Sequence, residues 1–115
     1  MKSYITVETA AQFKKLLETE KFLIVDYFAT WCPPCKMFSN TLDTVIVNDS
    51  LSNSIQIVKV NVDDLTDIAS QQGVHTLPTV AFYHQGKEVH RFFGFKPIAA
   101  FLEETKHAFG ESAIK

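Results

Sequence analysis

The sequence predicts an α/β fold. Strand-like and helix-like segments alternate along most of the chain, the pattern of a sheet covered by helices. Residues Phe22 to Phe28 are apolar almost without interruption, as in a central parallel strand buried on both faces. Two strand-like runs, Thr79 to Tyr83 and Glu88 to Phe93, flank His84-Gln85-Gly86-Lys87. That tight connection predicts an antiparallel hairpin.

The elements follow in order. Tyr4 to Val7 alternates and reads as a short strand. Thr9 and Gln12 have the spacing of a capping box. Ala10, Phe13, Leu16 and Leu17 then recur at helical spacing, predicting a helix over 9–18. The strand Phe22 to Phe28 comes next. Pro33 and Pro34 suit the first positions of the following helix. Its apolar stripe, Met37, Phe38, Leu42, Val45 and Ile46, fades near Asn48. Ile55 to Val62 alternates as a third strand. Asp63 or Asp64 is expected to cap a short helix through Leu65, Ile68 and Ala69, ending near Gly73. After the hairpin, Ile98, Phe101, Leu102 and Phe109 mark a last helix, and the tail beyond Gly110 is expected to fray. The predicted order is β-α-β-α-β-α-β-β-α.

A length of 115 residues fits one domain, 1–115. A chain this size buries about two-thirds of its unfolded surface and needs no structural metal or disulfide scaffold. Ten Phe predict a core rich in aromatic packing. The net charge of −2, without charge blocks, argues against nucleic-acid binding. No apolar run approaches the roughly 20 residues of a membrane span. Residues 1–8 lack a long apolar stretch and include Glu8, so no signal peptide is expected.

The most informative stretch is Trp31-Cys32-Pro33-Pro34-Cys35-Lys36, which holds both cysteines. A loop this short removes little chain entropy when closed, so a scaffold role is a poor explanation. Zinc would need two more ligands. No second Cys pair or paired histidines exist, and His75, His84, His90 and His107 are scattered and read as surface residues. A Cys-x-x-Cys at a strand-to-helix turn instead suits reversible thiol–disulfide exchange. The first sulfur faces the positive end of a helix, which favours a thiolate. Cys32 is therefore the expected nucleophile and the more exposed sulfur. Cys35, about one helical turn in, is the expected resolving thiol and the more buried one.

Two further residues stand out. Asp26 sits among Phe22-Leu23-Ile24-Val25 and Tyr27-Phe28. Burial there would raise its pKa and suit a general base near neutrality. An Asp on a solvent-facing strand side is the plain alternative. Pro78, between Leu77 and Thr79, is compatible with an ordinary trans proline at a strand start.

With Val25-Asp26, Ala29-Thr30-Trp31-Cys32, Pro34-Cys35-Lys36, Lys59, Asp63, Leu77-Pro78-Thr79 and Gly94 in this order, nearly the whole chain resembles the thioredoxin family. The resemblance implies the thioredoxin fold, a central mixed sheet of about five strands with four helices on both faces. It implies that Asp26 lies beneath Cys35 and assists its deprotonation through water, and that Lys59 tunes Asp26. It implies a cis peptide before Pro78, with the Leu77 backbone free to pair with an extended substrate segment. It also implies an apolar rim of Trp31, Pro34, Leu77, Pro78, Phe93, Gly94 and Phe95.

The implied activity is that of a protein-disulfide reductase. It would work through Cys32–Cys35 without metal or other cofactor, and a thioredoxin reductase would recharge it. A cytoplasmic monomer acting on protein disulfides fits, with no nucleic-acid or membrane partner. Pro33 departs from the family, whose commonest active site has Gly there. It removes an N–H from the turn and fixes φ, which leaves a shifted potential, and so an isomerase or oxidase, as the alternative. A binding module that uses only the apolar rim is another. Asn40 stands where many members have a helix-kinking Pro.

Overall fold

A computed structural model describes residues 3–115. Met1 and Lys2, the start of the stretch read for a leader, lie outside the described residues. The elements are β1 (Tyr4–Thr6), α1 (Ala10–Thr19), β2 (Phe22–Phe28), α2 (Pro33–Val47), β3 (Ile55–Asn61), α3 (Thr66–Gln71), β4 (Thr79–His84), β5 (Lys87–Phe93) and α4 (Ile98–Phe109). The five strands form one sheet in the order β1-β3-β2-β4-β5. β3 is parallel to β1 and β2, while β4 is antiparallel to β2 and β5. This is the mixed sheet of the thioredoxin fold.

Strand alternation divides the core between two faces. Ile24, Ile55, Ile57, Val80 and Phe82 pack with Phe38, Leu42 and Val45 of α2 and Phe101 of α4. Leu23, Val25, Tyr27, Val58 and Val60 face the other way, toward Phe13 of α1 and Ile68 of α3. The aromatic core is real. Phe38 meets Phe101 and Phe92 edge-on, with centroids 5.4 and 5.7 Å apart, the geometry that ring quadrupoles favour.

Local chemistry sets the joints. Thr9 Oγ1 accepts from the Gln12 amide, and Gln12 Oε1 accepts from the Glu8 amide. The reciprocal cap thus closes one residue further out than the standard box. The hairpin turn holds Gln85 and Gly86 at φ of 51° and 82°, the type I′ pattern that matches strand twist.

Three expectations fail. Neither Asp63 nor Asp64 caps α3; Leu65 precedes it without a side-chain cap. Asp63 is engaged elsewhere, as described below. The tail does not fray. Residues Glu111–Ala113 form a 3₁₀ turn, Ala113 is buried and Ile114 bridges Leu51. Apolar cover for the α2–β3 connection holds the tail down. Two histidines are more than surface residues: His84 stacks on Phe22 at 4.8 Å, and half-buried His90 pairs with Glu104 at 2.6 Å.

Candidate active site

The site forms where β2 ends and α2 begins. Cys32 is the N-cap of α2, followed by Pro33 and Pro34 at its first two positions. Neither proline has an N–H, so the first amide the helix offers is that of Cys35. It donates to Cys32 Sγ at 3.3 Å. The two sulfurs are joined as a disulfide.

The expected contrast in exposure is absent. Cys32 and Cys35 are each only 3% exposed. Both pack with Ala29, and Phe28, Val62 and Leu77 close around the three. Position at the helix start does not expose Cys32, because neighbouring loops cover its flanks. Pro33 is exposed and Pro34 half-buried.

Asp26 lies on the sheet face that α2 covers, since it shares strand parity with Ile24. It is 0% exposed, and neither carboxylate oxygen has a hydrogen-bond partner among the described residues. Burial pushes its pKa up to about 7, against a smaller downward pull from Lys59. The solvent-facing alternative is excluded. Lys59 is its register partner on β3. The Lys59 ammonium stands 3.9 Å from Asp26 Oδ2 and donates to Ser39 Oγ at 3.0 Å. Lys59 too is buried. An open cleft of 260 Å³, lined by Phe28, Thr30, Cys35, Lys36, Ser39 and Lys59, leads to this corner.

The Leu77–Pro78 peptide is cis, and Pro78 is buried. The Gly94 amide donates to the Pro78 carbonyl at 2.8 Å, tying the β4 and β5 ends together. Gly94 holds φ +82°, where a side chain would be strained. Trp31 is 66% exposed, and its indole N–H donates to Asp63 Oδ2 at 2.8 Å. Asp63 lies two residues before Leu65, the N-cap of α3, and so stands outside the capping position. Phe93 and Phe95 are exposed, whereas Phe92 turns into the core.

Residues 4–107 match the profile of the family described as Thioredoxin. The chain belongs to the thioredoxin family. Members of that family are thiol–disulfide oxidoreductases with a redox-active disulfide. The chain is 38% identical over 91 residues to a thioredoxin of Mycoplasma genitalium, covering 79% of this chain and 86% of that one. It is 35% identical over 102 residues to the chloroplastic thioredoxin Y of Oryza sativa, covering 88% of this chain. It spans only 60% of that rice protein's length, and 64% of a Fusarium culmorum thioredoxin-like protein's. Among solved structures, the thioredoxin of Malassezia sympodialis superposes with a TM-score of 0.79 at 27% identity, covering 94% of this chain and 93% of that one.

Reading the sequence missed Ser39, the hydrogen-bond acceptor of Lys59. A signal was present. Ser39 lies four residues after Cys35, hence on the same face of α2. No helix among the described residues is long and apolar enough to cross a membrane.

Proposed function

We propose that the chain reduces protein disulfides through the Cys32–Cys35 pair and is returned to its dithiol form by a thioredoxin reductase. It would act as a monomer in a reducing compartment such as the cytoplasm. One observation carries the reading. A cysteine pair sits at a helix start on the same sheet face as a buried carboxyl that lacks any hydrogen-bond partner.

The exchange runs in two steps. Cys32, as a thiolate, attacks one sulfur of a substrate disulfide. That S–S bond breaks, a mixed disulfide forms, and the other substrate sulfur leaves as a thiolate. Cys35 then gives its proton to Asp26, and its thiolate attacks Cys32 Sγ. The mixed disulfide breaks, the Cys32–Cys35 bond forms, and the second substrate thiolate departs. Two electrons have passed to the substrate. Lys59 moderates the proton affinity of Asp26. The rim of Trp31, Pro34, Leu77, Pro78, Phe93 and Gly94 receives the substrate backbone as an added strand.

The two prolines favour the reductase direction over the oxidase. They leave a single amide on the Cys32 sulfur. A poorly stabilised thiolate disfavours the dithiol form relative to the disulfide, which makes the pair a reductant. A measured potential as oxidising as that of dedicated disulfide-forming enzymes would overturn this in favour of an oxidase or isomerase.

An insulin-reduction assay with dithiothreitol or a reductase tests the whole. Cys32→Ser is expected to abolish turnover. Cys35→Ser is expected to accumulate mixed disulfides with substrate. Identical behaviour of the two variants would refute the division of roles.

A further inference from the structure

The Lys59 ammonium occupies an unexpected place. A buried amine beside a buried carboxylate ordinarily closes to a charge-assisted hydrogen bond of about 2.8 Å. Here the gap is 3.9 Å, and neither Asp26 oxygen accepts a bond. Something else holds the ammonium. Ser39 Oγ accepts from it at 3.0 Å. The ring of Tyr4, on β1, lies 5.0 Å away, and that of Phe28, at the end of β2, lies 4.9 Å away. Both distances suit a cation held over an aromatic face. The three groups come from α2, β1 and β2, so the cradle belongs to the tertiary fold.

We infer that Ser39 is a positioning residue: its hydroxyl, with the faces of Tyr4 and Phe28, keeps the Lys59 ammonium and the Asp26 carboxyl from closing into a hydrogen-bonded ion pair. Lys59 then acts on Asp26 as a nearby charge and not as a hydrogen-bond donor. Among the described residues, Lys59 is the charge that acts on Asp26. The β4 partner of Asp26 in register is Val80, α4 contributes Phe101 to the same core, and Lys36 of α2 is exposed along the cleft. The disulfide sulfurs do not titrate. A carboxyl kept out of the tight pair retains its proton at higher pH and is a stronger base toward Cys35. That catalytic consequence rests on the proton-acceptor role proposed for Asp26 above.

The test is a pH titration of the Asp26 carboxyl carbon by NMR in the disulfide form. Ser39→Ala removes the acceptor while suiting the helix. Lys59 then closes on Asp26, and the Asp26 midpoint falls by about one pH unit. Ser39→Thr keeps the hydroxyl and the original midpoint. Lys59→Met raises the midpoint, and in that background Ser39→Ala has no further effect. Equal midpoints in the parent protein and Ser39→Ala would overturn the proposal. So would a shift that persists without Lys59. Insulin reduction by the parent protein is scored separately. Its failure sinks the reductase reading and leaves the titration result standing, while an unmoved midpoint in an active protein sinks the cradle alone.

Discussion

Replacing Asp26 by Asn tests the energetic cost of the buried carboxyl. In the folded chain its pKa stands near 7, against an ordinary value of 3.8, chiefly through burial. The folded state therefore binds this proton more tightly than the unfolded state. Between those two pH values unfolding releases a proton, so stability falls as pH rises. Below 3.8 both states are protonated and the penalty vanishes. Above 7 both are ionised and it is complete. At roughly 1.4 kcal/mol per pH unit, the penalty amounts to about 4 kcal/mol at alkaline pH. Asn is nearly isosteric and never ionises. The variant is expected to gain about 4 kcal/mol relative to the parent protein on going from pH 4 to pH 9. Other titrating groups contribute alike to both proteins and cancel in the difference. The assay is urea unfolding of the disulfide form of each protein across that range. A stability difference constant with pH would refute the reasoning, because it would mean Asp26 ionises in the fold as readily as in water. The same substitution is expected to slow insulin reduction most where Cys35 needs an acceptor for its proton.

Two other perturbations probe parts of the fold that the cysteine chemistry does not use. Tyr27 and Tyr83 share a buried hydroxyl contact of 2.7 Å, and Tyr83 also donates to Gln72 Oε1 at 3.0 Å. Tyr83→Phe leaves both partners unsatisfied and is expected to cost about 1–3 kcal/mol by urea unfolding. Adding Tyr27→Phe is expected to cost less than the sum of the single changes. Deleting residues 111–115 removes buried Ala113, the Leu51–Ile114 bridge and the Lys115–Asp49 ion pair. A loss of about 2 kcal/mol is expected, and an unchanged urea midpoint would show that the tail contributes nothing.

Element order, class of fold and the candidate cysteine pair are legible in the sequence alone. These depend on local signals: apolar periodicity, a reciprocal cap at Thr9, prolines at a helix start and two cysteines one turn apart. Each acts over a few residues, so each is legible along the chain. Asp26 was legible for the same reason, as a lone carboxyl in an apolar strand. What those groups meet is set by strand register and layer packing. Register on β3 set Lys59 beside Asp26, and α2 then brought Ser39 to the ammonium. Trp31 engages Asp63, and α3 begins beyond the reach of either Asp63 or Asp64 as its cap. Packing against Leu51 kept the last residues ordered, and loop cover removed the expected exposure of Cys32. Every one of these joins residues far apart in sequence through strand order and layer packing. Short-range patterns carry no information about such distances, and the proton affinity of Asp26 is governed by them.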